Sequence, residues 1–321
     1  MNAHDLIKEA IAEKGKFDSV YWIACGGSMI DLIPAHELLQ REATTFTSYI
    51  YTAREFDIMR PRRLGEKSLV IACSHSGNTP EVVEGCEIAL AAGATVIAQT
   101  DNAGSKIDSG KWTTWSIRGA RACRRPRSPL AFRCRLRPSC SISRSYADLA
   151  DMYAGIAEMD KILPPAREKV NAELGDRFAK LCQEHEFFYI LGSGPNFSQT
   201  YGFAICSLME MQWQHCSYIH SAEYFHGPFE ATQDGVFYFL QMGSSECRAM
   251  DERALAFLKT HTDTLMVLDA KEYGMEAVPA SVRAYLDPVL FYAMNCELRA
   301  ARGKVFDHDP DFRRYMGVVE Y

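Results

Sequence analysis

The sequence predicts an α/β protein built as two similar halves in tandem, each a parallel sheet with helices on both faces. Three observations point there. Short apolar runs alternate with segments of helical spacing, the pattern of the strand–helix–strand crossovers that make parallel sheets. Several of the apolar runs end in glycine and lead straight into a helix. And YWIACGGS at 21–28 is echoed by FFYILGSG at 187–194, about 166 residues later, as two copies of one unit would be.

Each element follows from its pattern. SVYWIACG (19–26) reads as a buried strand, and SMIDLIPAHELLQRE (28–42) spaces Ile30, Ile33, Pro34 and Leu38 as a helix does. KSLVIACS (67–74) is a second buried strand, followed by the helix TPEVVEGCEIALAAG (79–93) and the strand ATVIAQT (94–100). The middle of the chain is poorly patterned. FFYILGSG then restarts the strand-then-glycine design, with a helix running to about residue 211. Strands at GVFYFLQM (235–242) and DTLMVLDA (263–270) bracket the helix DERALAFLKTH (251–261). The expected division is a first domain over 1–145 and a second over 146–321, ending in a C-terminal tail.

Composition narrows the function. With 321 residues, 47% hydrophobic and 24% charged, the chain can bury a large core in an ordinary soluble balance. A net charge of -6 argues against nucleic acid as the partner. No apolar run reaches the roughly 18–20 residues of a membrane span. MNAHDLIKEAIAEKGKF reads as an amphipathic helix without a signal-peptide core, so a cytoplasmic protein is expected. The 11 cysteines include no CxxC. Cys25, Cys73 and Cys206 fall inside apolar patterns, which predicts buried, reduced thiols.

One stretch departs from the rest. Ser109 to Ala147 holds no acidic residue, and RGARACRRPRSPLAFRCRLRPSCSISR (118–144) carries nine arginines and three cysteines without helical or strand periodicity. A basic arm for nucleic acid is one reading, but lysine and interleaved aromatics are missing. The other is a shifted reading frame across about 116–145, since GC-rich codons read out of frame give arginine, proline and cysteine. That reading predicts poor order and the loss of any functional residues there.

Two predicted strand ends carry glycine and hydroxyls at the start of a helix: CGGS (25–28) and SHSGNT (74–79). Glycine lets the backbone approach an anion, while hydroxyls and free helix N–H groups donate to it. Without a Walker lysine, the pattern suits a phosphomonoester. GSGPN (192–196) repeats the theme, but its glycine count is incomplete for a dinucleotide site. Caps and tight turns are the bland alternative for any one of these loops.

EMQWQHCSYIHSAEYFHGPFE (210–230) packs His215, His220 and His226 among Glu210, Glu223 and Glu230. A metal site would need three or four converging ligands, and the histidines lack the spacing that places them on one helical face. His215 and His220 are as readily framework groups as catalysts, and Glu230 as readily a cap. Trp213, Tyr224 and Phe225 read as core or pocket wall.

With these motifs in view, the chain resembles the SIS (sugar isomerase) domain family. CGGS and SHSGNTPE look like its first domain, and HGP (226–228) like the second-domain signature of the isomerase half of glucosamine-6-phosphate synthase. MEMQW, IHSAEYFHGPFE, DERALAFL and the terminal RRYM…VEY are similar to the fructoselysine-6-phosphate deglycases and related enzymes acting on phosphorylated Amadori compounds. The resemblance implies two flavodoxin-like three-layer domains, no metal and no cofactor. It implies phosphate binding by Ser28, Ser74, Ser76 and Thr79, with the His75 N–H and Gly27 beside them. It also implies a catalytic pair, Glu210 as base and His226 as acid, 16 residues apart. His215, Glu223 and Arg313 become possible substrate contacts. A C-terminal lysine of the synthase would fall near Gly317 and is missing, as is its glutamine-handling domain. The implied assembly is a homodimer or higher homo-oligomer with shared sites, and the implied partner a phosphorylated sugar-amine rather than a membrane or nucleic acid.

The chemistry of the residues fits such a substrate. Reversing an Amadori rearrangement needs an acid to open the sugar ring and a base for a carbon-bound proton. Imidazole and a carboxylate shielded from water suit these tasks. A phosphosugar aldose–ketose isomerase or aminosugar-phosphate deaminase would use the same pair. A non-catalytic sugar-phosphate sensor would keep only the phosphate loop.

Overall fold

The computed structural model describes residues 3–116, 149–316 and 318–320. The Arg-rich stretch at 118–144 and Gly317 lie outside them. The chain divides into two compact units, Met1–Ala150 and Asp151–Tyr321.

The first unit runs α1 (Ala3–Lys14), β1 (Ser19–Ala24), α2 (Gly27–Glu42), β2 (Thr47–Thr52), α3 (Ala53–Met59), β3 (Ser68–Cys73), α4 (Pro80–Ala91), β4 (Thr95–Thr100) and β5 (Thr113–Ser116). Its five strands are all parallel, in the order β2-β1-β3-β4-β5. Every residue of β1 and β3 is buried, because helices cover both faces of the sheet. That is why these strands read as unbroken apolar runs rather than alternating ones. Tyr21, Ile23, Val70 and Ala72 pack against Phe56 of α3 and Val82, Cys86 and Ala89 of α4. Trp22, Ala24, Leu69 and Ile71 pack against Leu6 and Ala10 of α1 and Leu32 and Ala35 of α2.

The second unit runs α5 (Leu149–Val170), a π-helical turn (Asn171–Gly175), α6 (Asp176–Glu184), β6 (Phe187–Gly192), a 3₁₀ turn (Gly194–Asn196) and α7 (Phe197–Gly202). It continues through a π-helix (Phe203–Glu210), β7 (His215–His220), 3₁₀ turns at Tyr224–His226 and Pro228–Ala231, β8 (Phe237–Met242), α8 (Arg248–His261), β9 (Leu265–Asp269) and α9 (Arg283–Val305). These strands are also parallel, in the order β7-β6-β8-β9. That order repeats β2-β1-β3-β4, so the echo noted in sequence pairs β1 with β6 at equivalent places. On one face Phe178 of α6 meets Phe188, Phe203 and Phe239. On the other, Leu191, Tyr238 and Leu240 pack against Tyr224 and against Ala254 and Leu258 of α8.

The differences from the sequence reading have physical reasons. β2 and β5 are edge strands with several half-buried or exposed residues, so neither shows an apolar run. α5 carries Pro164 and Pro165, and α9 carries Pro288, which obscured their helical periodicity. The helix read as continuous to about 211 turns π-helical after Gly202. Cys73 is buried as expected, whereas Cys25 and Cys206 are only half-buried. Among the described residues, no helix is long and apolar enough to cross a membrane.

Candidate active site

In the first unit, the carboxyl ends of β1 and β3 lie level, Ala24 beside Cys73, and their loops meet. Ser74 Oγ lies 2.9 Å from Thr79 Oγ1 and 3.5 Å from Ser76 Oγ, and accepts the Gly77 N–H at 3.0 Å. The Ser28 hydroxyl, in the first turn of α2, accepts the His75 N–H at 3.2 Å, so that N–H is engaged within the protein. Neither α2 nor α4 has a side-chain cap on its N-terminus, which leaves helix N–H groups for an anion. Gly77 must be glycine: its φ is +68° and a Cβ there would lie 1.8 Å from Ser105 Oγ. Gly26 (φ +53°) and Gly27 differ, since a Cβ on either would meet nothing within 4 Å. The backbone there is bare and open. Hydroxyls and open glycine backbone thus lie together at the ends of β1 and β3.

His75 brings in a residue that sequence reading missed. Its Nε2 lies 2.7 Å from Asp31 Oδ2 on α2. Burial pushes the Asp31 carboxyl up to about 7. Only the folded register of α2 against the β3–α4 loop pairs two residues 44 apart in sequence; nothing in the local pattern announces it.

GSGPN in the second unit is built differently. Gly194 is crowded, a Cβ there coming 2.5 Å from Ser245 Oγ, and the Ser193 hydroxyl donates to the Cys247 carbonyl. In the adjoining β8–α8 loop, the Ser244 N–H donates to Asp287 Oδ2 at 2.5 Å, and its hydroxyl lies 2.9 Å from both carboxylate oxygens. Asp287 belongs to α9 and is fully buried. Burial pushes its carboxyl up to about 7.

Glu210 ends the π-helix, a geometry frequent at functional sites. Its carboxylate accepts a hydrogen bond from Arg313 Nε. It is therefore paired, not isolated among the apolar side chains that precede it. The tail closes around the following residues. His308 Nε2 donates to the Met211 carbonyl at 2.9 Å, and Arg299 donates to Met211 Sδ and to Asp311. Trp213, held at φ 52°, meets the rings of His308 and Phe312 and lies 3.7 Å under the Arg314 guanidinium.

His226 is exposed and ends the Tyr224–His226 turn, its N–H donating to the Glu223 carbonyl. Glu223 and Glu230 are exposed, as is His215 at the start of β7. Gly227 follows with φ +142° and open space around it. Tyr224 is buried core. His220 is framework: Nδ1 accepts the Ala222 N–H at 3.1 Å and the ring meets Phe197. Its pKa is pushed down by burial, against the opposing pull of Glu223. Among the described residues no three His, Cys, Asp or Glu side chains are grouped to hold a metal ion.

The second sheet separates the two candidate catalytic groups within one protomer. The helix leading to Glu210 packs with α6 and α9 on one face, where Phe203 meets Phe178. The turn carrying His226 packs with α8 on the other, where Phe225 meets Phe257 at 5.6 Å.

The fold and the hydroxyl nest define an α/β protein of two parallel-sheet units with a cluster of hydroxyls at the strand ends of the first, and comparisons with known proteins sharpen this. Residues 18–118 match the SIS domain family. The chain is 35% identical over 313 residues to fructosamine deglycase FrlB of Bacillus subtilis, covering 96% of this chain and 94% of that protein. It is 30% identical to fructoselysine 6-phosphate deglycase of Escherichia coli, covering 99% and 91%. A crystal structure of a Bacillus subtilis protein assigned as a phosphosugar isomerase superposes with a TM-score of 0.82 at 32% identity, covering 99% of this chain and 97% of that one. A Salmonella typhimurium protein with the same assignment gives 0.85 at 27% identity, covering 100% and 96%. The chain belongs to the SIS family, in its group of deglycase and phosphosugar isomerase enzymes.

Proposed function

We propose that the protein is a deglycase that cleaves a fructosamine 6-phosphate, such as fructoselysine 6-phosphate, to glucose 6-phosphate and a free amine or amino acid. The phosphate seats on Ser28, Ser74, Ser76 and Thr79, against the bare backbone of Gly27. His226 donates a proton to open the sugar ring. Glu210 then takes the proton from carbon 1, an enaminol forms, and reprotonation at carbon 2 gives an aldimine that water hydrolyses. Every step is a proton transfer or a hydrolysis, so the chemistry calls for no redox cofactor. Arg313 orients Glu210, while His215 and Glu223 flank the sugar. A phosphorylated substrate, which does not cross membranes unaided, fits a cytoplasmic enzyme.

Because Glu210 and His226 pack on opposite faces of one sheet, this reading requires a two-fold homodimer. Each Glu210 then works with the partner subunit's His226. An isologous interface would bring both pairs together at once.

The observation that carries the reading is the open hydroxyl nest in a chain that aligns over 96% of its length with a fructosamine deglycase. The test offers phosphorylated fructoselysine, phosphorylated fructose-aspartate and fructose 6-phosphate separately, and measures products. Release of glucose 6-phosphate from either of the first two is the expected result. Conversion of fructose 6-phosphate alone would make the protein an isomerase, and binding without turnover of any would make it a sensor.

A further inference from the structure

The nest poses a charge problem. Its side-chain donors, the Ser28, Ser74, Ser76 and Thr79 hydroxyls, are all neutral, and among the described residues no Lys or Arg side chain is hydrogen-bonded to any of them. Among the described residues the surrounding elements add Asp31 and Glu37 on α2 and Glu81 on α4. Arg54 of α3 is engaged by Glu84, Asp57 and Glu81. Lys106 contributes its backbone N–H to Asn78 Oδ1. A cation close by would strengthen the hold of neutral donors on a phosphate dianion placed among carboxylates.

His75 is the side chain built into the loop that can become one. It is fixed on several sides. Its N–H donates to Ser28 Oγ, its carbonyl accepts from the Asp101 N–H and Thr100 Oγ1, and its Nε2 faces Asp31 Oδ2 at 2.7 Å. Both side chains are only about one quarter exposed, at 25% and 28%. Imidazole titrates near neutrality, and a carboxylate neighbour favours its charged form. Burial raises Asp31 toward the same range, so the two share protons as one coupled unit.

We propose that the His75 imidazole, held by Asp31, is the cationic partner of the substrate phosphate, so that proton uptake by this pair sets the affinity of the nest for dianions. This rests on the nest reading given above and adds to it the group that balances the charge.

Inorganic sulfate is the probe, because it stays a dianion from pH 5.5 to 8.5 and its own charge does not titrate. Calorimetry should show wild-type affinity falling about tenfold across that range, the size expected for losing one nearby charge in a partly solvated site. His75→Asn should flatten the profile. Asp31→Asn should move its midpoint to lower pH, since the imidazolium loses its carboxylate. His36, buried on α2, is pushed down to about 4 by burial and stays neutral throughout. A pH-independent wild-type affinity would overturn the inference. So would a His75→Asn variant that binds more weakly but keeps the wild-type slope, which is what a merely bracing residue gives. Failure of the wild type to bind sulfate or inorganic phosphate at any pH would instead overturn the nest itself.

Discussion

The loop after β3 and the loop after β8 occupy equivalent places in the two sheets, yet only the first is open. After β3, three hydroxyls bond to one another and to backbone N–H groups, and Gly26 and Gly27 of the neighbouring loop after β1 have empty space above them. After β8, Ser244 gives its N–H and hydroxyl to the buried carboxylate of Asp287, and a Cβ at Gly243 would lie 3.0 Å from that carboxylate. One copy of the unit leaves its strand-end hydroxyls beside open glycine backbone. The other has satisfied the same kind of donors with a carboxylate of its own. A glycine–serine motif at a strand end is therefore open to an anion only where the rest of the fold leaves it unfilled.

The contrast is most sharply tested by separating binding from chemistry. Glu210→Gln should lower kcat by about 10²–10⁴-fold, the usual contribution of a general base, while sulfate affinity stays within a few-fold of wild type. Substantial residual turnover would remove Glu210 from the mechanism. Ser76→Ala removes one donor to a charged ligand, worth about 1.5–3 kcal/mol. It should raise KM tenfold or more with little change in kcat, and an unchanged KM would count against the open nest.

In the closed loop the effect should fall on stability. Asp287→Ala leaves the Ser244 donors unpaired and should cost about 1–3 kcal/mol in denaturant unfolding, with KM unaffected. The pH dependence has a definite sign. The folded carboxyl titrates at about 7, above its unfolded value near 3.9, so the folded state holds the proton more tightly. The Asp287 contribution is largest below pH 4 and is lost as pH rises to about 7. Asp287→Asn should therefore compare worst with wild type at low pH and recover toward neutrality. A constant difference would show that the carboxyl does not titrate there. The smallest expected effect is that of EDTA, which should leave turnover unchanged. A loss restored by added divalent metal would reopen the metal-site reading of the histidines at 215–226.

The parallel architecture was legible because β1, β3, β6 and β8 are central strands buried on both faces, and such strands must be written as apolar runs. Edge strands β2 and β5 need no such run and left none. The hydroxyl nest could be read because its donors come from two short contiguous segments, 25–28 and 74–79. Asp31, Asp287 and the Arg313–Glu210 pair escaped because each joins residues distant in sequence, which only the folded chain brings together. The same reason explains GSGPN. It looks like a third nest in sequence, and Ser245 and Cys247, distant in sequence, are what crowd its Gly194.

The central claim is that Glu210 and His226, set on opposite faces of the second sheet, work together only across two subunits. Mixing two inactive variants tests it directly. Glu210→Gln and His226→Asn subunits, unfolded together in equal amounts and refolded, should form half mixed dimers, each with one intact site and one doubly defective site. Activity should return to about one quarter of wild type under that statistical pairing. A mixture that stays at the level of its two parents, although mixed dimers are shown to form, would contradict the account.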